Sequence, residues 1–259
     1  ELQSWQEQGS VFYRIQGEDA LQMQPNELLL DEDGEKTLQA RVIEVNRTEK
    51  VATLQTVKDY THPKNSVFGI TARNWGQNYA LNLLMDPEID LVTLLGQAGT
   101  GKTLLTLASA LTQVLDQQRY SEIIMTRVTV PLGNDIGFLP GTEEEKMNPW
   151  MGALEDNLEV LTHSDDMGGD WARAATHDMV ASKIKIKSIN FMRGRTFQHK
   201  FLIIDEAQNL TSKQMKTMIT RAGEGTKIVC MGNLAQIDTP YLSEGSSGLT
   251  YLVDRFKNW

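Results

Sequence analysis

The spacing of apolar positions changes near residue 70 of this chain. Before it, short β-rich runs partly alternate in polarity: Val11–Ile15, Thr37–Val45 and Val51–Val57. Turn-forming stretches at Asp31–Gly34 and Asn46–Glu49 separate them. The pattern predicts a small antiparallel β unit over residues 1–70, without a catalytic constellation, that reads as a packing or docking module. His62–Asn65 reads as a linker, because Pro63 biases the residue before it away from helix.

From Thr71 onward helical spacings alternate with apolar strands. The helices are expected at Asn74–Met85, with Trp75, Tyr79 and Leu83 on one side, then Lys102–Gln117, Thr142–Leu161 interrupted at Pro149, Asp170–Lys183 and Ser212–Ala222. The strands are expected at Leu91–Leu95, Glu122–Thr126, Ile184–Ile189, Phe201–Asp205 and Lys227–Met231. Strands alternating with helices predict an α/β class domain over 71–259, built on crossovers and a buried parallel sheet.

Gly96-Gln97-Ala98-Gly99-Thr100-Gly101-Lys102-Thr103 follows the first of those strands and opens the next helix. Glycines at these positions let the backbone wrap phosphate groups and turn N–H groups inward, and the helix N-terminus adds partial positive charge. In such a cradle Lys102 bridges the β and γ phosphates and the Thr103 hydroxyl ligates Mg²⁺. The bland alternative is a strand–turn–helix with incidental glycines. Phe201–Asp205 is an apolar strand that ends on Asp205-Glu206. Asp205 is placed to hold Mg²⁺, and Glu206 to orient and deprotonate a water; a strand-end cap is the alternative. Asn233 and Gln236 follow the last strand and are candidates for sensing the γ-phosphate, against an ordinary turn with Asn at positive φ. Gln77 is a candidate for reading the adenine edge, since an amide both donates and accepts; it could equally be a solvated helix face.

Composition narrows the class. Hydrophobic residues are 40% and charged residues 23%, which supports a packed core. Twenty-five basic against 34 acidic residues give a net charge of −9, so a uniformly basic nucleic-acid module is excluded. A local strip remains: Lys183, Lys185, Lys187, Arg193, Arg195 and Lys200 lie in a segment without acids. Alternation over 183–187 would put three ammonium groups on one strand face, suited to phosphates or merely discouraging edge pairing. Phe191 and Phe197 flank the arginines and could stack a base or fill the core. The single cysteine, Cys230, forms no internal disulfide and fits a reducing cytoplasm; it sits in an apolar run and reads as core. No apolar run of 18 residues exists to span a membrane. Glu1–Ser10 show no leader pattern and no starting Met, which reads as a piece of a longer protein.

The chain from about Ile70 resembles the PhoH-like P-loop ATPases, relatives of superfamily-one helicases. The resemblance rests on Gly96–Thr103, Asp205-Glu206-Ala207-Gln208, Gly137–Gly141 with Lys146 after it, and Arg193-Gly194-Arg195-Thr196. The β-rich unit and Asn74-Trp75-Gly76-Gln77 are similar to members in which a PIN ribonuclease domain precedes the ATPase. The PIN carboxylates are absent from this sequence, so the resemblance implies no RNA cleavage by this chain itself. It implies a RecA-like P-loop core and cytoplasmic ATP hydrolysis coupled to single-stranded RNA, with unwinding among the outcomes. It also implies homo-oligomers, a hexameric ring among them, in which Arg193 or Arg195 completes a neighbour's site. Arg127 is a further candidate for a polar or RNA contact. Family members continue past the position of Trp259 with another arginine-bearing segment; if that segment matters for hydrolysis, this chain is expected to bind nucleotide and turn it over poorly. Two other readings stay open: a P-loop kinase acting on a small metabolite, and a nucleotide-gated scaffold that regulates a nuclease.

Overall fold

The structure is a computed structural model that describes residues 2–7, 9–31, 38–128, 143–162, 170–192 and 194–257. The chain divides into two compact units, Glu1–Asp59 with Asp254–Trp259, and Tyr60–Val253. The expected Gly137–Gly141 loop and Arg193 lie outside the described residues, as do the side chains of Lys146 and Phe191.

The first unit carries an antiparallel sheet of β1 (Leu2–Glu7), β2 (Ser10–Gln16), β3 (Leu28–Asp31), β4 (Leu38–Asn46) and β5 (Val51–Thr56), in the order β1-β2-β5-β4-β3. The three expected strands are β2, β4 and β5; β1 and β3 are additions. Neither shows a half-buried pattern, since β1 has two apolar residues in six and β3 reads Leu-Leu-Leu-Asp. Pairing secures β1 instead, and Trp5 stacks on Phe12 of β2 with ring centroids 5.4 Å apart. Ala40, Val42 and Leu54 form a small core, against which Tyr13, Ile15 and Leu29 pack.

The second unit is α/β. Its elements are α1 (Trp75–Met85), β6 (Leu91–Leu95), α2 (Lys102–Leu111), β7 (Glu122–Arg127), α3 (Glu143–Thr162), α4 (Asp170–Lys183), β8 (Ile184–Ile186), α5 (Ile189–Met192), β9 (Lys200–Asp205), α6 (Ser212–Ile219), β10 (Lys227–Gly232) and the part of α7 (Gly248–Phe256) up to Val253. The five strands pair in parallel in the order β6-β10-β9-β7-β8. Phe201–Ile204 and all of β10 are buried, as continuous apolar strands covered on both faces should be. Lys227 is the polar exception, and its ammonium donates to the Leu83 and Asp86 carbonyls, 3.1 and 2.8 Å away. Because β10 separates β6 from β9, the loops leaving the carboxyl ends of these three strands converge on one crevice.

Several elements differ from the sequence pattern. On α1 the buried line is Asn78, Leu81 and Leu84, while Trp75 is exposed. The second helix leaves α geometry after Leu111 and continues as a wider π turn, Thr112–Asp116. Gln113 is buried there, and its amide donates to the Leu84 and Ser109 carbonyls, which disturbs the regular ladder. Helix α3 runs through Pro149 without interruption. Its buried Leu154, Leu158 and Leu161 anchor the later turns in the core, which offsets the backbone bond that proline removes. The strand expected over Ile184–Ile189 shrinks to Ile184–Ile186, because α4 continues through Lys183 and parallel pairing with β7 covers three residues. Among the described residues no helix is long and apolar enough to cross a membrane.

Candidate active site

The loop from Gly96 to Thr103 joins β6 to α2 and is fixed from three sides. Gly99 and Gly101 take left-handed φ values of 79° and 87°, which other residues adopt only at a cost. The Gly96 N–H donates to the Gly232 carbonyl at the end of β10, 3.2 Å away. From α1, Gln77 Nε2 donates to the Thr100 carbonyl at 3.1 Å, while Gln77 Oε1 accepts from the Arg73 N–H at 2.8 Å. Gln77 therefore braces the loop in this structure. Helix α2 is itself immobilised, with Leu105 to Leu111 all buried.

Lys102 is the first residue of α2, and its ammonium folds back onto the loop. It donates to the Gly96 and Gln97 carbonyls at 2.6 and 2.7 Å, and to Thr100 Oγ1 at 3.4 Å. Burial lowers its pKa, and the charges of Asp205 and Glu206 partly restore it.

Opposite the loop, β9 delivers two carboxylates. Asp205 is half-buried; burial first, and the Glu206 charge second, raise its pKa above the usual carboxylate range, against the pull of Arg127, the Glu206 N–H and Lys102. Glu206 takes φ 54° and ψ 35°, a left-handed conformation that a non-glycine residue adopts at a cost of about 1–2 kcal/mol. Both of its oxygens are held: Arg127 Nη2 donates to Oε1 at 3.0 Å, and Gln208 Nε2 donates to Oε2 at 2.6 Å.

Gln208 was not given a role by the residue pattern, yet it ties the crevice together. Fully buried, it also donates to the Gln236 carbonyl at 2.9 Å and accepts from the Asn233 N–H at 3.2 Å. Asn209 accepts from the backbone of Asp238 and Thr239, so the turn after β10 is bound to the end of β9 along its length. Asn233 is not among the described residues with positive φ; its Oδ1 accepts from the Ala235 N–H. A Cβ on Gly232 would lie 2.5 Å from Gln208 Oε1 and 2.8 Å from Leu249. Gly232→Ala is therefore expected to cost about 1–3 kcal/mol in a denaturant titration and to loosen the Gln208 links.

The loop, the two carboxylates and Arg127 line one pocket of about 430 Å³. It gathers Ala98 to Leu104, Met125, Arg127, Asp205, Glu206, Gly232, Asn233 and Gln236, with Leu154 and Asn157 added by α3. Leu154 and Asn157 carried no sequence signal, since only packing brings α3 to the crevice. Gly96 and Gln97 meet Lys102 through their carbonyls, outside the lining. Arg195 is exposed and is not among the residues that line the pocket. The basic strip is also altered: Lys185 pairs with Glu122, and Lys200 donates to the same carboxylate at 2.9 Å. Burial alone would raise the pKa of Glu122, but those two ammonium groups hold it below its usual range. The three-lysine face expected over 183–187 does not form, because Lys183 ends a helix and the strand stops at Ile186.

Hard oxygen donors at Thr103 and Asp205 suit Mg²⁺, and the half-buried Asp205 carboxylate beside that of Glu206 gathers negative charge that a cation would neutralise. Among the described residues no group of three or more His, Cys, Asp or Glu could hold a metal by itself, so a cation here would draw further oxygens from a phosphate ligand and water. The cost of holding this carboxylate charge can be measured. Asp205→Asn should raise the thermal midpoint of the nucleotide-free chain at neutral pH. With the folded pKa above the unfolded value, the native chain loses stability as pH rises through the usual aspartate range and then levels off. The advantage of the variant should therefore disappear in acid.

The PhoH-like protein family model matches residues 69–259. Protein PhoH2 of Bacillus subtilis is 48% identical over 191 residues, which cover 74% of this chain and 42% of that protein. Protein PhoH2 of Mycolicibacterium smegmatis is 34% identical over 194 residues, again 74% of this chain and 42% of that protein. A PhoH-like protein of Mycobacterium leprae is 39% identical over 160 residues, 62% of this chain and 43% of that protein. The chain thus spans less than half the length of these curated relatives. With a fitting phosphate loop, a carboxylate pair across the crevice and a family match over residues 69–259, this chain belongs to the PhoH family.

Proposed function

We propose that the chain binds ATP with Mg²⁺ and hydrolyses it. The observation that carries this reading is that Lys102, Thr103, Asp205 and Glu206, from loops on either side of β10, line the same pocket. Phosphate oxygens would take the Lys102 ammonium from the Gly96 and Gln97 carbonyls that now hold it. The backbone N–H groups of 98–103 and the α2 N-terminus would add further positive potential. Thr103 and Asp205 would hold Mg²⁺, which supplies charge neutralisation at the transferring phosphate. Glu206 would orient the attacking water and accept its proton. Asn233 and Gln236, tied to Glu206 through Gln208, would respond to loss of the terminal phosphate. A rearranged Gln77 could read adenine; in its present position it steadies the loop.

The remaining parts of the reading are single-stranded RNA as a coupled partner, a PIN ribonuclease domain in the full-length protein, a homo-oligomer and a cytoplasmic location. Lys183, Lys185, Lys187 and Arg127 are the cations offered for RNA. Phosphate release from Mg-ATP should rise several-fold when single-stranded RNA is added. Unchanged release with ATP-dependent assembly would favour the nucleotide-gated scaffold, a reading to which the double grip on Glu206 lends weight. A phosphorylated acceptor in place of free phosphate would favour the kinase.

A further inference from the structure

Arg127 ends β7, seventy-nine residues before the carboxylate it grips. Its pair with Glu206 is two-thirds covered on both sides, at 33% and 30% side-chain exposure, so solvent screens it only in part. The two partners of Glu206 differ in freedom. Gln208 is fully buried and pinned by the Asn233 and Gln236 backbone. Arg127 has a long side chain on the pocket wall, facing the space that Lys102 and Thr103 also line. An anion entering that space competes for the guanidinium directly. A terminal phosphate carries nearly two negative charges and presents oxygens that match the guanidinium fork, against one charge on a carboxylate already shared with Gln208.

We propose that Arg127 is a two-position cation, paired with Glu206 when no triphosphate is bound and with the terminal phosphate when one is, so that the incoming nucleotide frees its own general base. This rests on the nucleotide reading above and deepens it. It moves the arginine of the site from the 193–195 segment to the end of β7, within the same subunit. It also makes the site selective: a diphosphate fills the loop without drawing Arg127 away, and Glu206 stays held. Arg127 acts on hydrolysis twice, by neutralising the leaving charge and by releasing Glu206.

The test is calorimetric titration of the full 259-residue chain with Mg-ADP and with the Mg complex of the β,γ-imido analogue of ATP. Arg127→Ala should weaken the analogue roughly 10- to 100-fold, the range for charge-assisted hydrogen bonds, and change ADP by less than about threefold. Arg127→Lys should recover part of the preference for the analogue. Glu206→Gln removes the competing charge, so it should tighten the analogue several-fold while leaving ADP unchanged. That tightening should vanish when Arg127→Ala is added. Equal losses for both nucleotides, or a gain in Glu206→Gln that survives the loss of Arg127, would overturn the proposal and leave Arg127 a structural brace. Should Arg127→Ala fail to fold, the Lys and Gln variants decide alone. If the unaltered chain binds neither nucleotide, the nucleotide reading itself falls, and this inference with it.

Discussion

Glu206→Gln should leave nucleotide bound at least as tightly as in the unaltered chain and lower the rate of phosphate release by roughly 100- to 10,000-fold, the usual contribution of a general base. The substitution keeps size and shape, and the amide oxygen can still accept from Gln208 or Arg127, so the left-handed turn at residue 206 and the links to Asn233 and Gln236 should survive. What it removes is the capacity to take a proton from water. Single-turnover phosphate release, measured beside the melting midpoint, separates the two. A stable variant that hydrolyses ATP at the normal rate would remove Glu206 from its role.

Lys102→Ala is expected to lower affinity for Mg-ATP by roughly 100-fold or more, about 2.7 kcal/mol. The ammonium makes at least two contacts to loop carbonyls at 2.6 and 2.7 Å, and phosphate oxygens would replace these with stronger charge-assisted bonds. Because those carbonyls lose their partner in the variant, some rearrangement of the loop accompanies the loss of charge. Lys102→Arg separates the effects: it keeps the charge but cannot reproduce a compact ammonium in the same space, so it should recover little of the affinity. Undiminished binding by Lys102→Ala in a calorimetric titration would sink the cradle argument.

The parts of the site legible in the sequence were those written in consecutive residues. Gly96 to Thr103 has its turn chemistry, its cation and its helix start within eight positions, and Phe201 to Glu206 places its carboxylates by ending an apolar strand. The alternation of elements gave the α/β class for the same reason, since each strand and helix carries its own period. What escaped was set by distant partners. Strand β1 has almost no pattern and exists through its pairing with β2. The interruption expected at Pro149 fails because leucines farther along α3 are bound into the core. The lysines of 183–187 share no single exposed face, since a glutamate on the neighbouring strand takes up Lys185. Gln208 and Arg127 each bear on Glu206 in ways that no local spacing reveals, the first through burial between two turns and the second across two paired strands.

On the proposed function, one crevice both holds Mg-ATP and hydrolyses it. The most direct test is inorganic phosphate release from Mg-ATP by the unaltered chain and by Glu206→Gln at equal, saturating occupancy, verified by titration of the same samples. Saturable binding to both is expected, with slow but measurable release by the first and release lowered at least about 100-fold in the second. Binding with identical release from both proteins, or no binding to either, would contradict it.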